Sequence, residues 1–431
     1  MAEQRVVVTG MGVVSPLGND VDTLWDGLCN GRSGIGKNTW SALERIRQDY
    51  HPKNPTYDPA SDGLENTIAG EVTFDPLHWM DKHEAHHMDP VVQYAVAAIK
   101  QAIAQSGLSL DEIDKDRMGI FMGTGIGGLS TLEYQDRILR EKGAHYVSPN
   151  LIYMIMPSAI GTTLGRMLGC HRSTTHTAAC ASSTIAIGEA FRAVRRGDID
   201  VAIAGGAETV ITPLCYGGFK KMRAFSPRTD DPGHRSRPFD RDRDGFTLSE
   251  GAGAILIVSY AYAMKYGLPI FAEIGGYGRT QDAYHATAPH PKGTYAAQAI
   301  RSALTDANIK LDGVTYVNAH GTSTKLNDEV EVRTLIEVFG EYLAARLPVS
   351  SSKGALGHTI GAAGAIETIV CIMTGLSGLA HPTANLDNID PECEGVDHIR
   401  GTPRRIPPGA MLKTSFGFGG ENAALIILPA P

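Results

Sequence analysis

Cysteine is scarce, with six residues in 431 and no paired spacing. That argues against a disulfide scaffold and for a reducing compartment. Long apolar runs are missing as well. No stretch approaches the roughly 18 consecutive apolar residues a membrane span needs, and no charged-then-apolar leader opens the sequence. The expected location is therefore the cytoplasm, with no membrane partner. Positive charge is in deficit at a formal net −8, which removes any global attraction to nucleic acid.

What remains is an ordinary globular balance, 42% hydrophobic and 20% charged, enough for one large or two medium domains. Glycine is abundant at 49 residues, and it clusters just after apolar runs. Met122-Gly123-Thr124-Gly125, Ala204-Gly205-Gly206 and Phe416-Gly417-Phe418-Gly419-Gly420 all read as strand-to-turn positions.

Strand and helix patterns alternate. Val6–Val8, Met118–Met122, Asp200–Ala204 and Ala252–Ser259 predict strands, with a helix over Ala95–Ser106. The theme repeats with strands at Ile270–Gly275, Gly313–Ala319 and Leu347–Ser352, and helices at Tyr295–Ala307 and Asp328–Phe339. Lys413–Phe416 and Ala423–Leu428 read as a closing hairpin. Two α/β halves, 1–260 and 261–431, suggest an internal duplication with buried sheets. The helix Ile360–Met373 is apolar nearly all round, which predicts burial on every side between sheets. Residues 37–68 are polar, with few apolar anchors, and read as a long surface excursion.

Several motifs tempt and are discounted. His83-Glu84-Ala85-His86-His87 matches the zinc-protease pattern, but Pro90 follows closely and no third ligand is evident. Gly123, Gly125 and Gly128 imitate a dinucleotide fingerprint, but Leu129 onward is a weak helix start. Asp240, Asp242 and Asp244 imitate a calcium loop. Its twelfth position is Gly251 rather than glutamate, and Arg241 and Arg243 interleave the acids, so an Arg–Asp network fits better. Cys393-Glu394-Gly395 reads as a loop cysteine. No metal is expected.

Cys180 stands between the β-branched stretch Ser173–Thr177 and a run carrying Ile185, Ile187, Ala190, Phe191 and Val194 at helical spacing. Arg195, Arg196 and Gly197 close that helix. A thiol at a helix N-terminus is placed to ionise, and the thiolate is the nucleophile. A buried structural cysteine is an equally open reading on local context alone. Three later segments share one grammar, a strand and then a short polar loop: Tyr316–Thr324 with His320, Val349–His358 with Lys353 and His358, and Thr414–Asn422. In an α/β protein such strand ends are expected to converge on one edge, where active sites form.

Arg237-Pro238-Phe239-Asp240, Arg243-Asp244-Gly245-Phe246, Asn318-Ala319-His320-Gly321-Thr322, and Gly357-His358 with Gly361-Ala362-Ala363-Gly364 carry a resemblance. The whole chain resembles the elongating β-ketoacyl-acyl-carrier-protein synthases (class II) and the type II polyketide ketosynthases of the thiolase superfamily. The resemblance implies a thiolase-like duplicated α-β-α-β-α five-layer sandwich. It implies a decarboxylating Claisen condensation between an acyl group on Cys180 and malonyl-acyl-carrier protein. By motif, His320 and His358 would be the histidine pair, and Lys353 the motif lysine with Glu367 as its carboxylate partner. Phe418 would be the gate, hinged by Gly417 and Gly419, its N–H joining that of Cys180 as the oxyanion hole. Ile126 would line the acyl pocket. Lys220, Lys221 and Arg223 would contact an acidic acyl carrier protein, whose phosphopantetheine carries the substrates, so no further cofactor is implied. The partner would be a second copy or a chain-length-factor-like subunit.

The departures from the family habit lie near the nucleophile and gate. Ala178 stands where threonine is usual, Ser183 where glycine is common, and Glu421 replaces a threonine in the closing turn. They leave open a specialised polyketide ketosynthase. A non-catalytic partner is disfavoured by the presence of Cys180 with both histidines. A coenzyme A thiolase is disfavoured by the two-histidine pattern.

Overall fold

The computed structural model describes residues 3–50 and 58–431. The strands of the main sheet are β1 (Val6–Val14), β2 (Met118–Gly123), β3 (Ser173–His176), β4 (Val201–Glu208), β5 (Gly251–Ser259), β6 (Ala272–Gln281), β7 (Val314–Asn318), β8 (Pro348–Ser350), β9 (Asp397–His398), β10 (Ala410–Gly417) and β11 (Glu421–Pro429). They form one hydrogen-bonded sheet in the order β9-β8-β7-β10-β11-β6-β1-β5-β4-β2-β3.

The duplication is visible in that order. The first half contributes β3-β2-β4-β5-β1 and the second β8-β7-β10-β11-β6. Directions match too. β2 is parallel to β3 and β4, while β5 is antiparallel to β4 and β1. Likewise β7 is parallel to β8 and β10, and β11 is antiparallel to β10 and β6. The copies join where Val6 of β1 faces Ile274 of β6.

The helices used below are α1 (Ser41–Tyr50), α2 (Pro90–Ser106), α3 (Leu129–Lys142), α4 (Ser182–Arg195), α5 (Pro213–Lys221), α6 (Thr294–Asp306), α7 (Lys325–Ala344) and α8 (Ala363–Ser377). α4 and α8 pack against each other and against strands of both halves, so they form the middle layer. α2 covers β1 and β5 on one outer face, and α6 covers β6 and β11 on the other. This is the five-layer α/β arrangement expected. The middle layer is tight because its contact residues are small. A Cβ on Gly364 would lie 2.0 Å from Thr184 Oγ1.

Four expectations change. α2 begins at Pro90, five residues before the predicted start, because Asp89 caps it by accepting from Val91 N–H at 2.9 Å. The weak start at Leu129 is in fact a 14-residue helix. The excursion is anchored: Trp40, Leu43, Ile46 and Leu64 are buried, and α1 packs on α3. Arg45 Nη2 donates to Tyr94 Oη at 2.6 Å, and that hydroxyl donates to Glu250 Oε1 at 3.0 Å. Residues 51–57 of the excursion lie outside the described residues. Finally, Ile360–Ser377 is long and apolar enough to cross a membrane by length and composition, contrary to the sequence reading. It is the buried middle-layer helix, with the charged Glu367 at its heart.

Candidate active site

Cys180 sits in a single 3₁₀ turn, Ala179–Ala181, between β3 and α4, and is 6% exposed. The turn is held by Ser182, whose hydroxyl accepts from Ala178 N–H at 2.9 Å and donates to the Thr124 carbonyl at 3.1 Å. Ala179, just before the cysteine, has φ +46°, a left-handed conformation costly for a residue with a Cβ. Burial pushes the Cys180 thiol up to about 11, although Lys353 and the N–H groups of Phe418 and Cys180 pull it down. Against the expectation from the helix N-terminus, burial disfavours the thiolate here.

His358 Nε2 lies 3.0 Å from Cys180 Sγ. The other ring nitrogen, Nδ1, accepts the Ile360 N–H at 3.2 Å. A backbone N–H can only donate, so in the neutral ring the proton resides on Nε2. His358 therefore faces the cysteine as a hydrogen-bond donor. Ile360, which fixes this tautomer, has φ +45°, rare for a β-branched residue. His320 lies beside it, with ring centroids 5.3 Å apart.

The loop carrying His320 is clamped by buried acids of α7. Glu331 accepts the N–H groups of His320 at 2.8 Å and Gly321 at 2.7 Å. Asp328 accepts that of Thr322 at 3.0 Å and pairs with buried Arg243 at 3.5 Å. Arg243 also pairs with Asp390 and Glu329. Asp240 accepts the N–H groups of Asp387 and Asn388 at 2.9 and 2.8 Å. The imitation calcium loop is the Arg–Asp network expected, and it braces the histidine loop.

Lys353 Nζ bonds the Glu367 carboxylate and the His320 carbonyl, the latter at 2.6 Å. A second lysine, not singled out from the sequence, completes a buried triad. Lys413 Nζ lies 2.8 Å from Glu367 Oε2 and donates to Ser415 Oγ at 2.6 Å. Two lysine side chains thus share one carboxylate beside the imidazoles. Burial first, then Lys353 and Lys413, hold His320 and His358 well below the ordinary histidine range. Both rings are neutral at physiological pH.

The Phe418 turn approaches Cys180 closely. A Cβ on Gly417 would come within 3.2 Å of Cys180 N, and Gly419 and Gly420 have φ +80° and +76°. Two of the three departures find partners for their side chains, and nothing in the structure explains the alanine at 178. Ser183 Oγ accepts Ala365 N–H at 2.9 Å across the α4–α8 contact, and Glu421 pairs with Arg279 at 3.1 Å. The Ala178 carbonyl accepts Ala181 N–H at 3.0 Å.

A cavity of about 500 Å³ opens onto Cys180, His320, His358 and Phe418, with Ile126 on its wall. The Gly123-x-Gly125 run serves this wall rather than a dinucleotide. Buried Glu208 accepts from Gly125 N–H at 2.5 Å and Gly361 N–H at 2.9 Å, placing a carboxylate where a phosphate would be cradled. Burial pushes Glu208 up to about 7. Glu208 was not foreseen, because its partners are 83 and 153 residues away in sequence. Of the basic run, Arg223 lines the cavity mouth and Lys220 an adjoining cavity, while Lys221 is exposed and lines neither. The His83 motif lies in a five-residue helix, where His87 Nδ1 donates to the His83 carbonyl at 2.7 Å. Cys393, read as a loop cysteine, lies in the short 3₁₀ turn Pro391–Cys393 and is buried. The ligand atoms of Cys180, His320 and His358 lie within 4.8 Å of one another, a metal-like spacing. The fit to a metal is poor, because the Ile360 bond keeps a proton where a ligand lone pair is needed.

Residues 3–263 match the family model for the N-terminal domain of beta-ketoacyl synthase, and residues 271–387 that for its C-terminal domain. The chain belongs to the beta-ketoacyl synthase family. A relative from Synechocystis sp., a 3-oxoacyl-[acyl-carrier-protein] synthase 2, is 41% identical over 427 residues, covering 99% of this chain and 98% of its own. The synthase of the same description from Staphylococcus aureus is 40% identical over 425 residues, covering 98% of each. Among solved structures, the ishigamide ketosynthase/chain length factor superposes with TM-score 0.89 at 32% identity, over 100% of both chains. A type II polyketide synthase acyl-carrier protein in complex with its ketosynthase gives TM-score 0.86 at 30% identity, over 99% of this chain and 100% of that one. As a beta-ketoacyl synthase, the chain is an acyltransferase-class enzyme of the thiolase fold.

Proposed function

We propose that this synthase joins an acyl group held on Cys180 to malonyl-acyl-carrier protein, releasing CO2 and a β-ketoacyl-carrier protein. The observation that carries the reading is His358 Nε2–H set 3.0 Å from Cys180 Sγ, its tautomer fixed by Ile360.

In the first step Sγ attacks the thioester carbonyl of an acyl-carrier protein. The new C–S bond forms, the pantetheine C–S bond breaks, and the cysteine proton leaves with the pantetheine thiol. The oxyanion between these events needs preorganised donors, each worth about 2.7–4 kcal/mol. The N–H groups of Cys180 and Phe418, which already point at the sulfur, are suited to it. In the second step the malonyl C–CO2 bond breaks and CO2 departs. The enolate oxygen takes hydrogen bonds from His358 and His320, and neutral rings hold it without giving up a proton. In the third step the carbanion attacks the acyl-cysteine carbonyl, a C–C bond forms, the Cys180 C–S bond breaks, and the departing thiolate takes up one proton from solvent to restore the thiol. Phe418 between glycines suits a gate that keeps water from the acyl-enzyme.

The substrates arrive on phosphopantetheine, and the reaction calls for no metal or redox group. Exposed Lys220, Lys221 and Arg223 suit an acidic carrier protein. The acting species is a homodimer, or a heterodimer with a chain-length-factor-like subunit, in the cytoplasm, where the thiol stays reduced. A specialised type II polyketide pathway is the second reading, favoured by the likeness to polyketide ketosynthases.

The test offers acyl-carrier proteins of graded chain length with malonyl-carrier protein and follows the carrier by mass spectrometry. A β-ketoacyl product extended by two carbons is expected. Transfer of acyl groups without extension, or no transfer at any length, contradicts the reading.

A further inference from the structure

We propose that a second cavity beside the catalytic mouth is an oxyanion-binding site built on Arg235. This cavity, of about 520 Å³, shares Arg223 and Asp244 with the catalytic one. Arg235 is only 4% exposed. Its Nη2 donates to the Ser226 carbonyl, while Nε and Nη1 are buried with no hydrogen-bond partner. Those two nitrogens carry three N–H donors. A buried guanidinium is normally paired with a carboxylate, yet among the described residues none pairs with Arg235. Asp244, on the same wall, is engaged by Arg228 at 3.1 Å.

The surroundings define the occupant. Lys220 and Arg223 add positive charge against Glu65, the single further carboxylate among the described residues of the wall, and Tyr216 and Phe225 supply aromatic wall. Asp244 Oδ1 is buried and unpartnered, and so is free to accept an O–H or N–H. The matching ligand is a phosphate ester or carboxylate that also carries a hydroxyl or amide donor on a short apolar body. Such a group can come from a prosthetic arm entering by the shared mouth, or from a small soluble acid.

The test titrates inorganic phosphate into the full-length protein by calorimetry, for wild type and Arg235→Met. Saturable one-to-one binding in wild type, weakened at least tenfold in Arg235→Met, is expected. Absent saturation in wild type, or equal affinity in both, overturns the site. Should Arg235→Met fail to fold, wild-type crystals soaked in selenate replace it. An anomalous peak within hydrogen-bond distance of Arg235 Nε or Nη1 supports the site, and an empty cavity overturns it. The source is read from acyl transfer to Cys180. A raised KM at unchanged kcat in Arg235→Met identifies the arm, and an unchanged KM with phosphate binding lost identifies a soluble acid. Phosphate binding is measured without condensation, so failure here is distinct from failure of the proposed reaction.

Discussion

A thiol held near 11 beside two neutral imidazoles fixes how labour divides among single residues. His358 cannot serve as the cysteine's base while Ile360 occupies Nδ1. Its work is donation to developing negative charge. Replacing it with alanine removes one such donor, and decarboxylation of malonyl-carrier protein is expected to fall about 10²–10³-fold. Acyl transfer to Cys180 should persist measurably in that variant. The CO2 release assay and the intact-mass assay separate the two. Lys413 both hydrogen-bonds Ser415 and adds charge beside the imidazoles. Burial and Lys353 depress the histidines more than Lys413 does, so Lys413→Met lets them rise part of the way toward their ordinary value. Protonated rings then appear at higher pH, and the acid limb of the decarboxylation profile moves upward. An unmoved limb would remove Lys413 from the site's electrostatics.

The residues that carry the chemistry were legible because each follows a strand and precedes a turn. Cys180, His320, Lys353 and His358 stood out in that grammar. Lys413, Glu331 and Glu208 did not, because a buried charge looks like any other until its partner arrives. Lys413 meets Glu367 46 positions away in the chain, and Glu331 braces a loop ten and eleven residues upstream. Burial also reversed the inference about ionisation, since a sequence shows the helix start but not how dry it is.

At the scale of elements, the middle layer is the part least able to yield. Gly364→Ala would drive a Cβ to within 2.0 Å of Thr184 Oγ1. Thr184 bonds Ser415 at 2.8 Å, and Ser415 bonds Lys413, so the clash also reaches the charged triad. A loss of about 1–3 kcal/mol in urea unfolding is expected, together with reduced condensation. The strand and helix periods were plain in the sequence, and so was the burial of α8. The anchors of the excursion were not, because Trp40, Leu43 and Ile46 are diluted among Ser, Glu, Arg and Gln. The start of α2 is written in Asp89 and Pro90, the cap and first-turn proline, and the hydrophobic period alone does not mark it.

For the whole molecule, the repeated strand order sets the site at the junction of two equivalent halves. One half delivers Cys180 and the other His320, His358 and both lysines. The sequence announced the repetition, while the β1–β6 seam that joins the copies rests on pairing that no local pattern encodes. Stability should report the buried acid at this junction. Glu208 titrates near 7 folded and near 4.3 unfolded. Its folded pKa is raised, so its contribution is full below the unfolded value and is lost as pH rises to about 7. Wild type should therefore lose up to about 1.4 kcal/mol per pH unit relative to Glu208→Gln across that window. Urea unfolding at pH 5, 6 and 7.5 checks this, and parallel curves for the two proteins would place the Glu208 carboxylate in solvent.

The central claim is that Cys180 carries the acyl group as a thioester. Intact-mass spectrometry of wild type and Cys180→Ala after incubation with acyl-carrier protein tests it most directly. The account predicts one acyl adduct in wild type, mapped to the Cys180 peptide and released by hydroxylamine, and none in Cys180→Ala. An adduct of the same mass on Cys180→Ala would contradict it.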